Sequence, residues 1–146
     1  MNNKRRQQLV AAANPLLTAG ERIELATVVK VGSVSVKRKL ATAAVVGVLT
    51  AGTVIATASP RPMYLVMTDQ RILFFEVDGL TGKPRKLLMV LPRELVTATP
   101  VAKALLGLGR VTQLEIDGQE QGLKVLFPPV SKADAAGFAA ALRTAV

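Results

Sequence analysis

Two groups of basic side chains are the residues of this sequence whose types and spacing are best suited to chemistry. They are Lys37, Arg38 and Lys39 in one group and Lys83, Arg85 and Lys86 in the other. Ammonium and guanidinium groups donate charge-assisted hydrogen bonds to phosphate oxygens, and clusters of them attract anionic lipid headgroups. We therefore predict that both groups contact a membrane surface or a phosphate. A solvated hairpin turn is the alternative for the second group.

The sequence contains no histidine and no cysteine, which excludes several classes of active site. It lacks the usual zinc ligands, the usual general base near neutral pH and the base of a nucleophilic triad. The carboxylates, among them Glu94 and Asp117, show no spacing that indicates a shared site. Two residues separate Gly79 from Gly82, whereas a phosphate-binding loop needs four between its glycines. We expect a non-catalytic protein without a metal or cofactor.

The net charge of +9 is concentrated near the N-terminus. Residues 1–40 contain eight Lys or Arg against Glu21 and Glu24. We interpret residues 1–20 as a basic N-terminal extension and residues 21–146 as one domain. The high pI also suits nonspecific nucleic-acid binding, but aromatic residues make up only 3% and no binding motif is recognised. Nucleic acid is therefore the less favoured partner.

Residues 40–60 contain no charged side chain and are about as long as a membrane-spanning helix. A single crossing is the least favoured interpretation, because it would separate the strand before this segment from the strands after it. We predict a hydrophobic helical insertion that packs on the domain, lies on lipid or packs against another copy. Ala43, Gly47 and Ala51 recur every four residues and would give such a helix a flat face for self-association.

The remaining pattern is mainly that of β-strands. Apolar residues alternate from Ile23 to Val36 with a change of phase around residues 32–33, which predicts a strand with a bulge. Residues 63–67 and 72–77 predict a hairpin covered on both faces. Further strands are predicted around Leu87, Met89 and Leu91, around Leu114 and Ile116, and around Leu123, Val125 and Phe127, with a short helix at 101–106 in between.

A C-terminal helix is predicted after Pro128 and Pro129. Ser131 and Asp134 have the spacing of a capping box, in which two side chains satisfy backbone N–H groups at the start of a helix. The apolar stripe of this helix should lie on the sheet. Its members are Ala135, Phe138, Ala139, Leu142 and Val146.

The stretch Tyr-Leu-Val-Met-Thr-Asp-Gln-Arg-Ile-Leu-Phe-Phe at residues 64–75 resembles bacterial pleckstrin-homology-like domains, which often have a Thr-Asp-x-Arg turn before an apolar strand. The opening Leu-Leu-Thr-Ala-Gly-Glu at residues 16–21 is similar to their entry into the first strand. The resemblance implies an α+β fold, a bent antiparallel sheet or barrel of about seven strands with a C-terminal capping helix. The insertion at about 40–60 departs from that simple module.

The resemblance also implies membrane proximity, oligomer formation or protein binding. The leading hypothesis is a cytoplasmic binding or scaffold module, peripheral at the inner face of the cell membrane through the basic cluster and the hydrophobic insertion. Its partner would be an anionic membrane surface or a protein. The alternative is a soluble homo-oligomer, a self-associating scaffold for protein interactions that needs no lipid.

Overall fold

The computed structural model describes residues 1–35 and 60–144. Several predictions fall outside these residues. They are the basic group Lys37, Arg38 and Lys39, the self-association residues Ala43, Gly47 and Ala51, nearly all of the insertion at about 40–60, and Val146 at the end of the predicted stripe.

The described residues form one mostly antiparallel nine-stranded sheet and two α-helices. The strands are β1 Ile23–Ser35, β2 Arg61–Thr68, β3 Arg71–Val77, β4 Pro84–Pro92, β5 Val96–Ala98, β6 Ala102–Ala104, β7 Gly109–Ile116, β8 Gln121–Phe127 and β9 Arg143–Thr144. The helices are α1 Asn3–Ala13 and α2 Asp134–Ala140. The strand order is β4-β3-β2-β1-β8-β7-β5-β9, with β6 paired to β7. The α+β prediction holds at this level, whereas the strand count differs from about seven.

The sheet curves around one large aliphatic core. Side chains from both ends of the strand order, such as Met89 of β4 and Ala98 of β5, belong to the same buried cluster. Phe138 of α2 enters this cluster, where its ring lies 5.5 Å from that of Phe127. As predicted, the C-terminal helix closes the core, because Ala135 and Phe138 of α2 are buried. The helix is shorter than predicted: it ends at Ala140, the buried Leu142 follows it, and Arg143–Thr144 pair with β5 as a strand. This main core is the larger source of hydrophobic stabilisation.

The second face of the sheet is covered by α1. The β2–β3 hairpin alternates strictly: Leu65 and Phe74 face the main core, whereas Tyr64 and Phe75 face a second cluster. Leu9 and Ala13 of α1 complete that second cluster, and both are fully buried. The prediction that both faces of this hairpin are covered is confirmed.

The irregularity in β1 lies elsewhere than predicted. The register between β1 and β2 shifts between Ile23 and Leu25, and no shift occurs at residues 32–33. Near those residues, the strand that pairs with β1 changes. β1 pairs with β2 as far as Val31 and with β8 from Lys30 to Ser35. The change of phase in the apolar pattern therefore accompanies an exchange of partners.

The strand predicted around Leu87, Met89 and Leu91 is present as β4, but its three residues do not share one face, and one further local prediction is wrong. Leu87 faces the second cluster while Met89 and Leu91 face the main core, because the register of β4 against β3 is irregular between them. The short helix predicted at 101–106 is absent. Residues 102–104 form β6, and a 3₁₀ turn at Leu105–Gly107 follows.

The start of α2 is not capped as predicted. Ala133 occupies the N-cap position and makes no side-chain hydrogen bond to the helix. The Ser131 hydroxyl donates to the Val28 carbonyl oxygen at 2.6 Å, and the Asp134 carboxylate accepts from the Thr27 hydroxyl at 2.7 Å. Both side chains therefore fasten α2 to β1 instead of capping the helix, because carbonyl and hydroxyl groups of β1 lie within their reach.

Candidate anion-binding end of the sheet

Antiparallel pairing brings several chain segments to one end of the sheet, which we call the loop end. β1 leaves there at Ser35 and β2 enters at Arg61, so the segment between them begins and ends at this edge. The β3–β4 loop, residues 78–83, lies at the same end because Val77 pairs with Pro84. Gln121, at the start of β8, pairs with Ser35.

The predicted group Lys83, Arg85 and Lys86 lies at the loop end. Arg85 forms an ion pair with Glu76 at 3.3 Å, and Arg61 approaches the same carboxylate at 3.6 Å. One carboxylate thus faces two guanidinium groups and neutralises only one of them. Lys83 and Lys86 are exposed, and neither has an acidic partner among residues 1–35 and 60–144. The part of the loop end that β2, β3 and β4 form is therefore positively charged.

The β3–β4 loop is held in one shape by its own polar groups. The Asp78 carboxylate accepts hydrogen bonds from the backbone N–H groups of Leu80 and Thr81, at 2.8 and 3.1 Å. These bonds lower the pKa of Asp78, so the group remains ionised with its charge directed at the loop backbone. The Gly82 N–H donates to the Asp78 carbonyl at 2.8 Å, and Gly82 has a left-handed backbone with φ of +73°, which glycine adopts without steric cost.

Two side chains from elsewhere in the chain clamp this loop. The Tyr64 hydroxyl donates to the Gly82 carbonyl at 2.6 Å, and the Arg5 guanidinium donates to the Thr81 carbonyl at 3.2 Å. Burial raises the pKa of Tyr64, while the nearby Arg5 cation acts in the opposite direction. Arg5 thus adds a cation to the loop end.

Sequence reasoning did not identify Arg5 or Arg61 as site residues. Arg5 is 76 positions from Thr81, so no local pattern connects them. Arg61 had a usable signal, since it is the first charged residue after the uncharged segment. The antiparallel order of β1, β2, β3 and β4 then places Arg61 beside the predicted group.

Several solved structures are similar in fold to this chain. One is a DUF1696 family protein with a pleckstrin-homology domain from Shewanella loihica PV-4, at 17% identity and a TM-score of 0.50 over 93% of this chain and 88% of that one. Another is a pleckstrin homology domain from Shewanella amazonensis SB2B, at 16% identity and a TM-score of 0.51 over 94% and 86%. The chain has a pleckstrin-homology-like fold.

A structure of Vav1 inhibited by an allosteric inhibitor also matches, at 15% identity and a TM-score of 0.51, over 96% of this chain and 33% of that one. No family model and no curated protein matches the sequence. In this pleckstrin-homology-like fold, the motif Thr-Asp-Gln-Arg at residues 68–71 forms the turn between β2 and β3. That turn lies at the opposite end of these strands from the loop end.

The buried carboxylate of Glu21, which precedes β1, binds this turn. Arg71 binds Glu21 rather than Asp69, with its Nη2 2.7 Å from Oε1 and its Nε 3.0 Å from Oε2. Thr68 donates its hydroxyl to Glu21 and accepts from the N–H groups of Gln70 and Arg71. Thr68 thus supplies local hydrogen bonds of the turn, whereas the Arg71–Glu21 ion pair joins residues 50 positions apart. We assign this network of Glu21, Thr68 and Arg71 a role in stabilising the fold.

Residues 1–35 and 60–144 contain no group of three or more acidic side chains that could hold a metal ion. Within the same ranges, neither helix has the length and apolar character needed to cross a bilayer.

Proposed function

We propose that this protein is a non-catalytic binding module that attaches peripherally to an anionic membrane surface through the loop end. One observation carries the proposal: cations without acidic partners gather where the chain enters and leaves its uncharged segment. Lys83 and Lys86 are two of these cations, and Arg61 and Arg85 share a single carboxylate. The sequence places Lys37, Arg38 and Lys39 shortly after the last residue of β1.

The physical basis is the combination of charge and apolar surface on one side of the molecule. A basic side chain near an anionic membrane contributes roughly 1 kcal/mol of attraction, which salt weakens. The uncharged residues 40–60 would add hydrophobic contact from the same side. The pleckstrin-homology domains among the similar structures support a role in binding rather than in catalysis.

The proposal is tested by flotation with phosphatidylcholine vesicles, with and without phosphatidylserine. The variant Lys83→Gln, Arg85→Gln, Lys86→Gln removes three charges from the loop end. We expect it to lose about tenfold to a hundredfold in binding to the anionic vesicles at low salt, because each lost cation costs roughly 1 kcal/mol. The wild type should bind anionic vesicles better than neutral ones.

A matched variant separates position from total charge. Arg22→Gln, Lys103→Gln, Lys132→Gln also removes three charges, from exposed residues outside the loop end. It should retain most of the binding. Equal losses in the two variants would show that net charge alone is responsible. A wild type that does not float in any condition would exclude the membrane role and favour a self-associating protein scaffold.

A further inference from the structure

Leu80 is the most exposed apolar side chain at the loop end. It lies in the β3–β4 loop with 99% of its surface accessible. A single exposed leucine is common on protein surfaces and by itself indicates nothing. Two independent properties of its surroundings, the rigidity of the loop and its charge, distinguish this position.

The loop that carries Leu80 is ordered by hydrogen bonds before any ligand arrives. The backbone N–H of Leu80 itself donates to the Asp78 carboxylate at 2.8 Å. Tyr64 binds the carbonyl of Gly82 and Arg5 binds the carbonyl of Thr81, so the C-terminal part of the loop is also held in place. Binding through a preordered loop loses little conformational entropy, so the free energy gained by burying the leucine is not spent on ordering the chain.

Two cations lie in or beside the loop that contains Leu80. Lys83 follows within the loop, and the Arg5 guanidinium reaches the loop backbone from α1. The one carboxylate of the loop, Asp78, is engaged with the N–H groups of Leu80 and Thr81. An apolar tip next to cations complements the boundary of an anionic bilayer, where acyl chains lie directly beneath the phosphates.

We propose that Leu80 inserts into the acyl boundary of an anionic bilayer while Lys83 and Arg5 contact lipid headgroups. This inference rests on the proposed membrane function and adds to it the residue that enters the lipid. It assigns part of the membrane contact to the rigid β3–β4 loop, in addition to the uncharged residues 40–60.

The absence of tryptophan from the sequence allows a site-specific test. Leu80→Trp places a single fluorophore at the tip, where it has no packing to disturb. With phosphatidylcholine–phosphatidylserine vesicles we expect a blue shift of its emission and quenching by lipids brominated in their acyl chains. Leu80→Gln should float about tenfold less well than the wild type, since it removes apolar area from the buried contact.

Leu106→Trp is the matched control. Leu106 is equally exposed, at 104%, and lies at the opposite end of the β7–β8 pair from Gln121. The tryptophan emission of this variant should not change when vesicles are added. If the wild type floats but Leu80→Trp shows neither shift nor quenching, this inference fails and the proposed function stands. If the wild type does not float, both the proposed function and the insertion of Leu80 fail. A blue shift in Leu106→Trp alone would place the lipid contact at the end of the sheet opposite the loop end and would overturn the inference.

Discussion

Glu21 is ionised inside the protein because several donors meet its carboxylate. Its side chain is fully buried, and Arg71 is its ion-pair partner at 2.7 Å. Hydrogen bonds from Arg71, and also those from Thr68 and the Thr18 backbone, outweigh burial and lower the pKa of Glu21 from 4.5 to about 2. A carboxylate with a depressed pKa in the folded state stabilises the protein above its unfolded pKa.

The sign of the pH dependence follows from that shift. The contribution of Glu21 is fully present above about pH 5 and is lost as the pH falls from 4.5 towards 2. We expect Glu21→Gln to lower the free energy of unfolding at pH 7 by about 2 to 3 kcal/mol, because the amide leaves Arg71 without its anion. In urea denaturation at several pH values, the free energy of unfolding of Glu21→Gln should fall less in acid than that of the wild type.

An exposed ion pair provides the control for this prediction. Asp117 and Arg143 lie 3.2 Å apart, and each side chain is about half exposed. Asp117→Asn should change the free energy of unfolding by less than about 1 kcal/mol, because water screens this pair. If Glu21→Gln retained the full acid sensitivity of the wild type, Glu21 would not be the group responsible.

Close approach between β7 and β8 explains why a glycine begins β7. Gly109 is the first residue of β7 and is buried. A Cβ atom there would lie 2.8 Å from the Phe127 carbonyl oxygen, a backbone atom that cannot turn aside as a side chain can. The Gly107-Leu-Gly109 pattern thus includes a packing requirement of the pair of strands.

The strand contact predicts a stability difference between two glycines. Gly109→Ala should lower the free energy of unfolding by roughly 1 to 3 kcal/mol, because the methyl group forces β7 away from β8. Gly79→Ala, with nothing within 4 Å of its Cβ and no positive φ, should stay within about 0.5 kcal/mol of the wild type. Thermal denaturation followed by circular dichroism compares the two, and equal midpoints would contradict the contact.

At the scale of the whole molecule, α1 is packed on the sheet. Leu9 and Ala13 are fully buried against a cluster that includes Tyr64, Phe75 and Val90. Without α1, these sheet residues would face water. Residues 1–20 are predicted from the sequence to be an extension of a domain that begins at residue 21, and the packing of α1 makes that division testable.

We expect Leu9→Ala to lower the free energy of unfolding by about 2 to 4 kcal/mol, because it leaves a cavity against the second face of the sheet. Gln7→Ala, at an exposed position of the same helix, should have little effect. Both are measured by urea denaturation, which should remain a single transition. If the two variants unfolded alike, α1 would be a separable extension.

The sequence alone determined the strands whose partners are close in the chain and the absence of histidine and cysteine as possible site residues. Alternation over residues 63–77 indicated which side chains lie on the same face, since neighbouring side chains in a strand point to opposite faces. The same information identified β8 and the buried face of α2. It did not predict the packing of α1, because only Leu9 and Ala13 of that helix are fully buried and their spacing forms no extended stripe.

Only the tertiary structure decided which distant groups meet. Arg71 and Glu21 are 50 positions apart, and Arg5 and Thr81 are 76 apart, so no local pattern links either pair. The loop end exists because antiparallel pairing returns the chain to one edge after every second strand. Ser131 and Asp134 bind β1 instead of capping α2 for the same reason: a side chain bonds the partners that folding brings within reach, and sequence spacing reveals only the local ones.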